Sequence, residues 1–318
     1  MRPARIAALA LIVLTSAGCP DDGAPSDVGI ETQVPIRPAS NGKIAFLLGS
    51  AGILGPSPLY VAGSNTPARR IGVGDITSFA WSPDGTRIVY VQAAGEFGGG
   101  WIKLVGADGS ANRTLVRTPN PLSGIAWSPD GRWIVYGQGI GMAPNGDNRY
   151  RLFAKPTTGG DPIRLTGGPP PHENVLPAWS PDGTRIAYLS VSLFAPATAS
   201  ITVIAADGSG ATQILSRSGP RMSGPAWSPD GRWLVVVDGE QVRLVRPDGS
   251  GSHVIYECRW DCASGAPRWS PDGSQIALTV YHGASWRVLT ITPKGRRVPA
   301  PPGLPSRACC LAWQPVRS

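Results

Sequence analysis

The chain has little of what metal enzymes, helical proteins and nucleic-acid binders rely on. Its 318 residues include three histidines, three methionines and five cysteines, and 16% of the residues are charged. His172, His253 and His282 are too few and too scattered to announce a metal centre by their spacing. No Gly-x-Ser-x-Gly elbow marks a hydrolase serine. The formal net charge is +8, yet lysine and arginine form no extended run, so a nucleic-acid surface is not indicated. Outside the N-terminus no stretch is apolar at helical period, which argues against long helices.

Glycine and proline, by contrast, are abundant, at 41 and 33 residues, the composition of many short strands joined by tight turns. The turns repeat. Ala80-Trp81-Ser82-Pro83-Asp84-Gly85 returns at 126–131, 178–183 and 226–231, and again at 268–273 with Arg268 for the alanine. Ala312-Trp313-Gln314-Pro315 is a worn sixth copy. The register tryptophans Trp81, Trp127, Trp179, Trp227, Trp269 and Trp313 are 46, 52, 48, 42 and 44 residues apart. That period belongs to four-stranded propeller blades.

The chemistry of the turn explains its residues. Proline pre-sets φ for the second turn position, aspartate can accept backbone N–H bonds, and glycine takes positive φ before the next strand. Asp84, Asp130, Asp182, Asp230 and Asp272 therefore read as structural, as do the six register tryptophans. A second hairpin carries Asp-Gly at 108–109, 207–208 and 248–249. Counting strands predicts an all-β, six-bladed β-propeller over residues 41–318, in which the first segment lacks an inner strand and the C-terminal strand supplies it. Such closure leaves no open edge between the two ends.

These five near-perfect Trp-Ser-Pro-Asp-Gly copies resemble the WD40-like six-bladed propellers of the TolB type. The resemblance covers about residues 41–318 and implies a platform for interactions. Unlike TolB, the sequence shows no α/β domain before the propeller: 21 residues lie between Cys19 and Asn41.

Residues 1–18 read as a signal peptide: Arg2 and Arg5 precede a nine-residue apolar run, Ile6 to Leu14. Ser16-Ala17-Gly18-Cys19 resembles a bacterial lipoprotein cleavage box, which makes Cys19 the lipidated first residue of the mature protein and residues 19–40 a flexible tether. The expected location is the bacterial cell envelope, periplasmic or at the outer surface, held to the membrane by the lipid. The other cysteines, Cys258, Cys262, Cys309 and Cys310, suggest two disulfides in an exported protein, with local pairing preferred and a cross pairing left open.

The segments 93–100, 137–148, 167–174, 190–200 and 257–265 vary between repeats and fall on the rim opposite the turns. Binding on a propeller usually belongs to such loops. Phe97, Met142, Asp147, His172, Glu173, Phe194, Arg259 and Trp260 are the candidates, and Trp101, Trp260 and Trp286 are tryptophans with no strong repeat role. The reading is a monomeric, non-catalytic envelope scaffold that binds a protein or a cell-wall polymer, without cofactor, metal or nucleic acid. The alternative is a carbohydrate-active or metal-dependent enzyme working at the loop rim.

Overall fold

A computed structural model describes residues 43–48, 57–63, 66–94, 99–142, 148–167, 172–192, 196–219, 221–258, 266–282, 285–301, 304 and 308–315. It is an all-β ring of six four-stranded antiparallel sheets. Blade one holds β1 (Ile44–Leu48), β2 (Leu59–Gly63) and β3 (Thr66–Gly72). Blade two holds β4 (Ile76–Trp81), β5 (Arg87–Ala93), β6 (Gly100–Gly106) and β7 (Arg113–Thr118). Blade three follows with β8 (Leu122–Trp127), β9 (Trp133–Met142), β10 (Asn148–Pro156) and β11 (Ile163–Arg164). Blade four is β12 (His172–Trp179), β13 (Arg185–Ser192), β14 (Thr198–Ala205) and β15 (Thr212–Ser218). Blade five is β16 (Met222–Trp227), β17 (Leu234–Asp238), β18 (Gln241–Val245) and β19 (Ser252–Glu257). Blade six is β20 (Arg268–Trp269), β21 (Ile276–His282), β22 (Ser285–Ile291) and β23 (Arg297–Val298). Finally β24 (Ala308–Trp313) returns to pair with β1 and becomes the inner strand of blade one.

The second strand of each blade is apolar on both faces because blades pack against it from both sides. Ile88, Val89, Tyr90 and Val91 are all essentially inaccessible. Val89 and Ile102 of blade two pack with Ile134 and Tyr136 of blade three, and Ile44 and Phe46 of blade one pack with Ala277 of blade six. The apolar seams therefore run round the whole ring.

Strands reach further toward the loop rim than the apolar pattern indicates. β9 continues to Met142, β12 begins at His172 and β13 ends at Ser192, so Met142, His172 and Glu173, expected in connections, are strand residues. Their partners in the ladder are Asn148, Ser192 and Val191. Backbone pairing needs no apolar side chain, which is why Gly137, Gly139, Ser190 and Ser192 hide the extension from a pattern-based reading.

Four of the six inner strands share a bulge three residues before the tryptophan. Gly124, Leu176, Gly224 and Cys310 have positive φ there, and the pairing register slips at each. At Gly124 the need for glycine is steric as well as conformational: a Cβ would lie 2.8 Å from Leu176 Cα and 2.9 Å from Pro177 Cδ of the next blade.

Candidate functional site

The two rims of the ring do different work. At the turn rim each repeat aspartate is absorbed by its own corner. Ser180 Oγ donates to Asp182 Oδ1 at 2.6 Å, Thr184 N donates to the same oxygen at 3.0 Å, and Arg185 N donates to Ser180 Oγ at 2.9 Å. The same pattern recurs around Asp84, Asp130, Asp230 and Asp272. The hydroxyl of Ser180 and the amide of Thr184 hold the Asp182 carboxyl down at about 2. At Asp84 burial works in the opposite direction, but hydrogen bonds from Ser82 and Thr86 outweigh it and leave the group at about 2. These carboxylates stabilise corners.

Three of the register tryptophans join neighbouring blades through their indole N–H. Indole Nε1–H of Trp81, Trp127 and Trp227 donates to the carbonyl of Ala312, Ala80 and Ala178 in the preceding blade, at 3.2, 3.2 and 3.1 Å. Trp179 instead donates to Gly183 O in its own turn at 3.0 Å, and Nε1 of Trp269 is buried without a partner among the described residues.

At the loop rim, Asp238 at the end of β17 lies between two cations. Arg217, from blade four, donates to Oδ1, and Arg243 Nε donates to Oδ2 at 3.1 Å. The group clips blade four to blade five. Glu173 is 6% exposed and lies near Tyr150 of blade three, whose hydroxyl is pushed up to about 12 by burial and, less strongly, by the Glu173 charge. Among the described residues no three of His, Cys, Asp and Glu converge as metal ligands.

Comparison with known proteins adds the family context. The family model for the lipoprotein LpqB beta-propeller domain matches residues 162–300. The Tol-Pal system protein TolB of Alcanivorax borkumensis is 42% identical over 81 residues, which is 24% of this chain and 18% of that protein. An uncharacterized peptidase, YuxL of Bacillus subtilis, is 30% identical over 114 residues, 34% of this chain and 17% of the peptidase. The chain thus spans under a fifth of the length of either relative. The crystal structure of TolB from Acinetobacter baumannii superposes over 86% of this chain and 67% of its own, with a TM-score of 0.66 at 18% identity.

The chain is a TolB-like six-bladed propeller.

In this TolB-like propeller the expected rim residues are unevenly visible. Phe97, Asp147, Phe194, Arg259 and Trp260 lie outside the described residues, as do the tether with Cys19 and the side chains of Met142 and His172. The cysteine pairing also depends on Cys262 and on the Cys309 side chain, which lie outside them; Cys258 is buried. Glu173 is the one rim candidate whose side chain is described, and it is buried in the blade wall rather than presented to solvent. Sequence reasoning missed two roles. Asp238 belongs to no repeat motif and its sequence neighbours announce no partner, although Arg217 and Arg243 take it up. Gln314 looked like wear in the sixth repeat, although it stands where the other copies carry the turn serine and does that serine's work across the chain ends.

Proposed function

We propose that this chain is an exported envelope protein, anchored through a lipid on Cys19, whose propeller is a non-catalytic scaffold that binds a protein or cell-wall partner with its loop rim. The observation that carries this reading is the match of residues 162–300 to the propeller of a lipoprotein, joined to a signal-like N-terminus with a cysteine at its end. Likeness to a Tol-Pal system protein supports the same envelope setting. The turn rim is committed to hydrogen bonds that maintain the fold, and Asp238 is held in an internal ion-pair group, an arrangement that favours binding over turnover. The tether of residues 19–40 gives the head a reach on the order of 25 Å from the bilayer.

The test uses the full chain in its host envelope. Membrane retention of the wild type and release of Cys19→Ala into the soluble fraction are expected; a Cys19→Ala protein that stays with the membrane overturns the anchor. Capture from detergent-solubilised envelope should yield a partner that Arg259→Ala/Trp260→Ala loses and Thr86→Ala, on the turn rim, retains. Equal capture by both variants overturns the loop-rim assignment.

A further inference from the structure

We propose that the outer part of the seam between blades one and two is a binding site for an acidic saccharide, built on Trp101, Lys103 and Arg117. Trp101 is partly exposed on β6. Val105, four residues on, packs with Leu59, Val61 and Ile71 of blade one, and the strand period of two puts Trp101 and Lys103 on that same side.

Blade architecture does not call for a tryptophan at this place. Trp101 pairs with Gln92, the sixth residue of the second strand counted from Arg87. The residues at the matching register in blades three to six are Arg151, Ser200, Gln241 and Arg287, none of them aromatic. The register tryptophans knit the ring together, whereas this one stands outside the repeat.

Its surroundings are cationic. Lys103 Nζ lies 5.8 Å from the ring centroid, within reach of a cation–π contact. Arg117 is the cross-strand neighbour of Trp101 on the outer side and is exposed. Among the described residues neither cation is in an ion pair. Other outer-strand arginines are occupied: Arg113 donates to Thr157 O at 2.8 Å in the next blade, and Arg217 is bound to Asp238. An indole face accepts the C–H face of a pyranose ring, and a guanidinium beside it offers planar, paired donors to a carboxylate or phosphate. The ligand class is therefore a sugar ring carrying an acidic group, as in a uronate or a phosphorylated wall glycan.

This inference does not depend on the scaffold reading, because it needs no protein partner and no anchor. Calorimetric titration of the full chain in detergent would use three probes: a galacturonic acid trisaccharide, a phosphorylated glucosamine disaccharide, and the neutral trisaccharide of galactose. Saturable binding of at least one acidic sugar is expected, weakening as salt rises, with the neutral sugar about tenfold weaker or worse. Which acidic sugar binds more tightly distinguishes carboxylate from phosphate recognition. Trp101→Ala should abolish binding, and the exposed-site variant Arg117→Gln and Lys103→Gln should each weaken the acidic sugar while leaving the melting temperature unchanged. Absence of binding by both acidic sugars, equal binding of neutral and acidic sugars, or wild-type binding by Arg117→Gln and Lys103→Gln together overturns the proposal.

Discussion

The indole of Trp127 donates a hydrogen bond to the carbonyl of Ala80 in the preceding blade, and Arg87 of that blade stacks over the same indole at 5.5 Å from its centroid. Trp227, Ala178 and Arg185 repeat the arrangement, with the guanidinium at 4.9 Å. In blades three and five the arginine place is taken by Trp133 and Trp233, and the indoles of the following tryptophans, Trp179 and Trp269, make no hydrogen bond to the preceding blade among the described residues. A flat cation lies against the neighbouring ring and leaves its N–H edge free to face the carbonyl. Trp81, Trp127 and Trp227, which are joined, are also the buried ones.

Removing the joined indoles should therefore cost more than removing the others. Trp127→Phe loses the part-buried hydrogen bond that joins the two blades, a loss of about 0.5–1.5 kcal/mol on top of the packing change. Trp269→Phe removes a donor that already lacks an acceptor among the described residues, so its penalty should be confined to packing. Urea unfolding of both variants is the measurement, and the midpoint of Trp127→Phe should fall further.

Ring closure gives a second expectation. Gln314 Oε1 accepts from Lys43 N at 3.0 Å, Gln314 N donates to Lys43 O at 2.9 Å, and Gln314 Nε2 donates to Gly85 O of blade two at 2.6 Å. A serine in the other copies reaches the amide five residues ahead within one turn; here the two strands come from opposite ends of the chain, and the longer amide spans to the next blade too. Gln314→Ala should destabilise by about 1–3 kcal/mol through the bonds left unmade. Gln314→Ser should recover part of the loss, as the shorter hydroxyl can serve Lys43 N but not Gly85 O. Thermal unfolding of the three proteins tests the order.

How much of this was legible in the sequence depends on the kind of force involved. The turn residues are local: Pro83, Asp84 and Gly85 specify their corner within a few residues, so the blade count and the C-terminal closure could be read directly. Contacts that cross blades were not legible. Asp238 and Arg217 are 21 residues apart, and nothing in their spacing announces that one clips the other. Glu173 failed for a different reason: strand pairing continues through polar residues, so a side chain expected on a loop is carried into the wall between blades.

Acidity should weaken the ring in a defined window. The repeat aspartates have folded values below the ordinary 3.8, with Asp84 and Asp182 at about 2. A depressed carboxylate contributes stability that is fully present above the unfolded value and is lost as pH falls through the folded one. The melting temperature should hold down to about pH 4 and then decline toward pH 2. Asp182→Asn, which removes one such titration, should make that decline shallower; an identical slope in the variant would contradict the assignment.

The bulges of the inner strands separate two costs of replacing glycine. Gly124 and Gly210 both have positive φ, +59° and +65°. A Cβ at Gly210 meets nothing within 4 Å, whereas at Gly124 it meets Leu176 and Pro177 of the next blade. Gly210→Ala should show the conformational penalty alone, about 1 kcal/mol, and Gly124→Ala that penalty plus the displacement of an adjacent inner strand. Similar melting temperatures for the two would mean that the inner strands yield easily.

The ion-pair group at Asp238 offers a test of how rigid the loop rim is. Its carboxylate is 14% exposed, while Arg217 and Arg243 are 35% and 24% exposed, which places the group between a surface pair and a buried one. Asp238→Asn should cost about 1–2 kcal/mol, less at high salt, because two cations lose their shared partner and solvent screens part of the effect. Arg217→Gln removes the contact between blades four and five but leaves Arg243 to neutralise Asp238, so it should cost less globally. Amide hydrogen exchange distinguishes the two changes: Arg217→Gln should speed exchange at the rim ends of β15 and β17 while the turn rim of the same blades keeps its protection. Uniform acceleration over both blades would show that the clip supports the blades as a whole rather than fixing their edges at the rim.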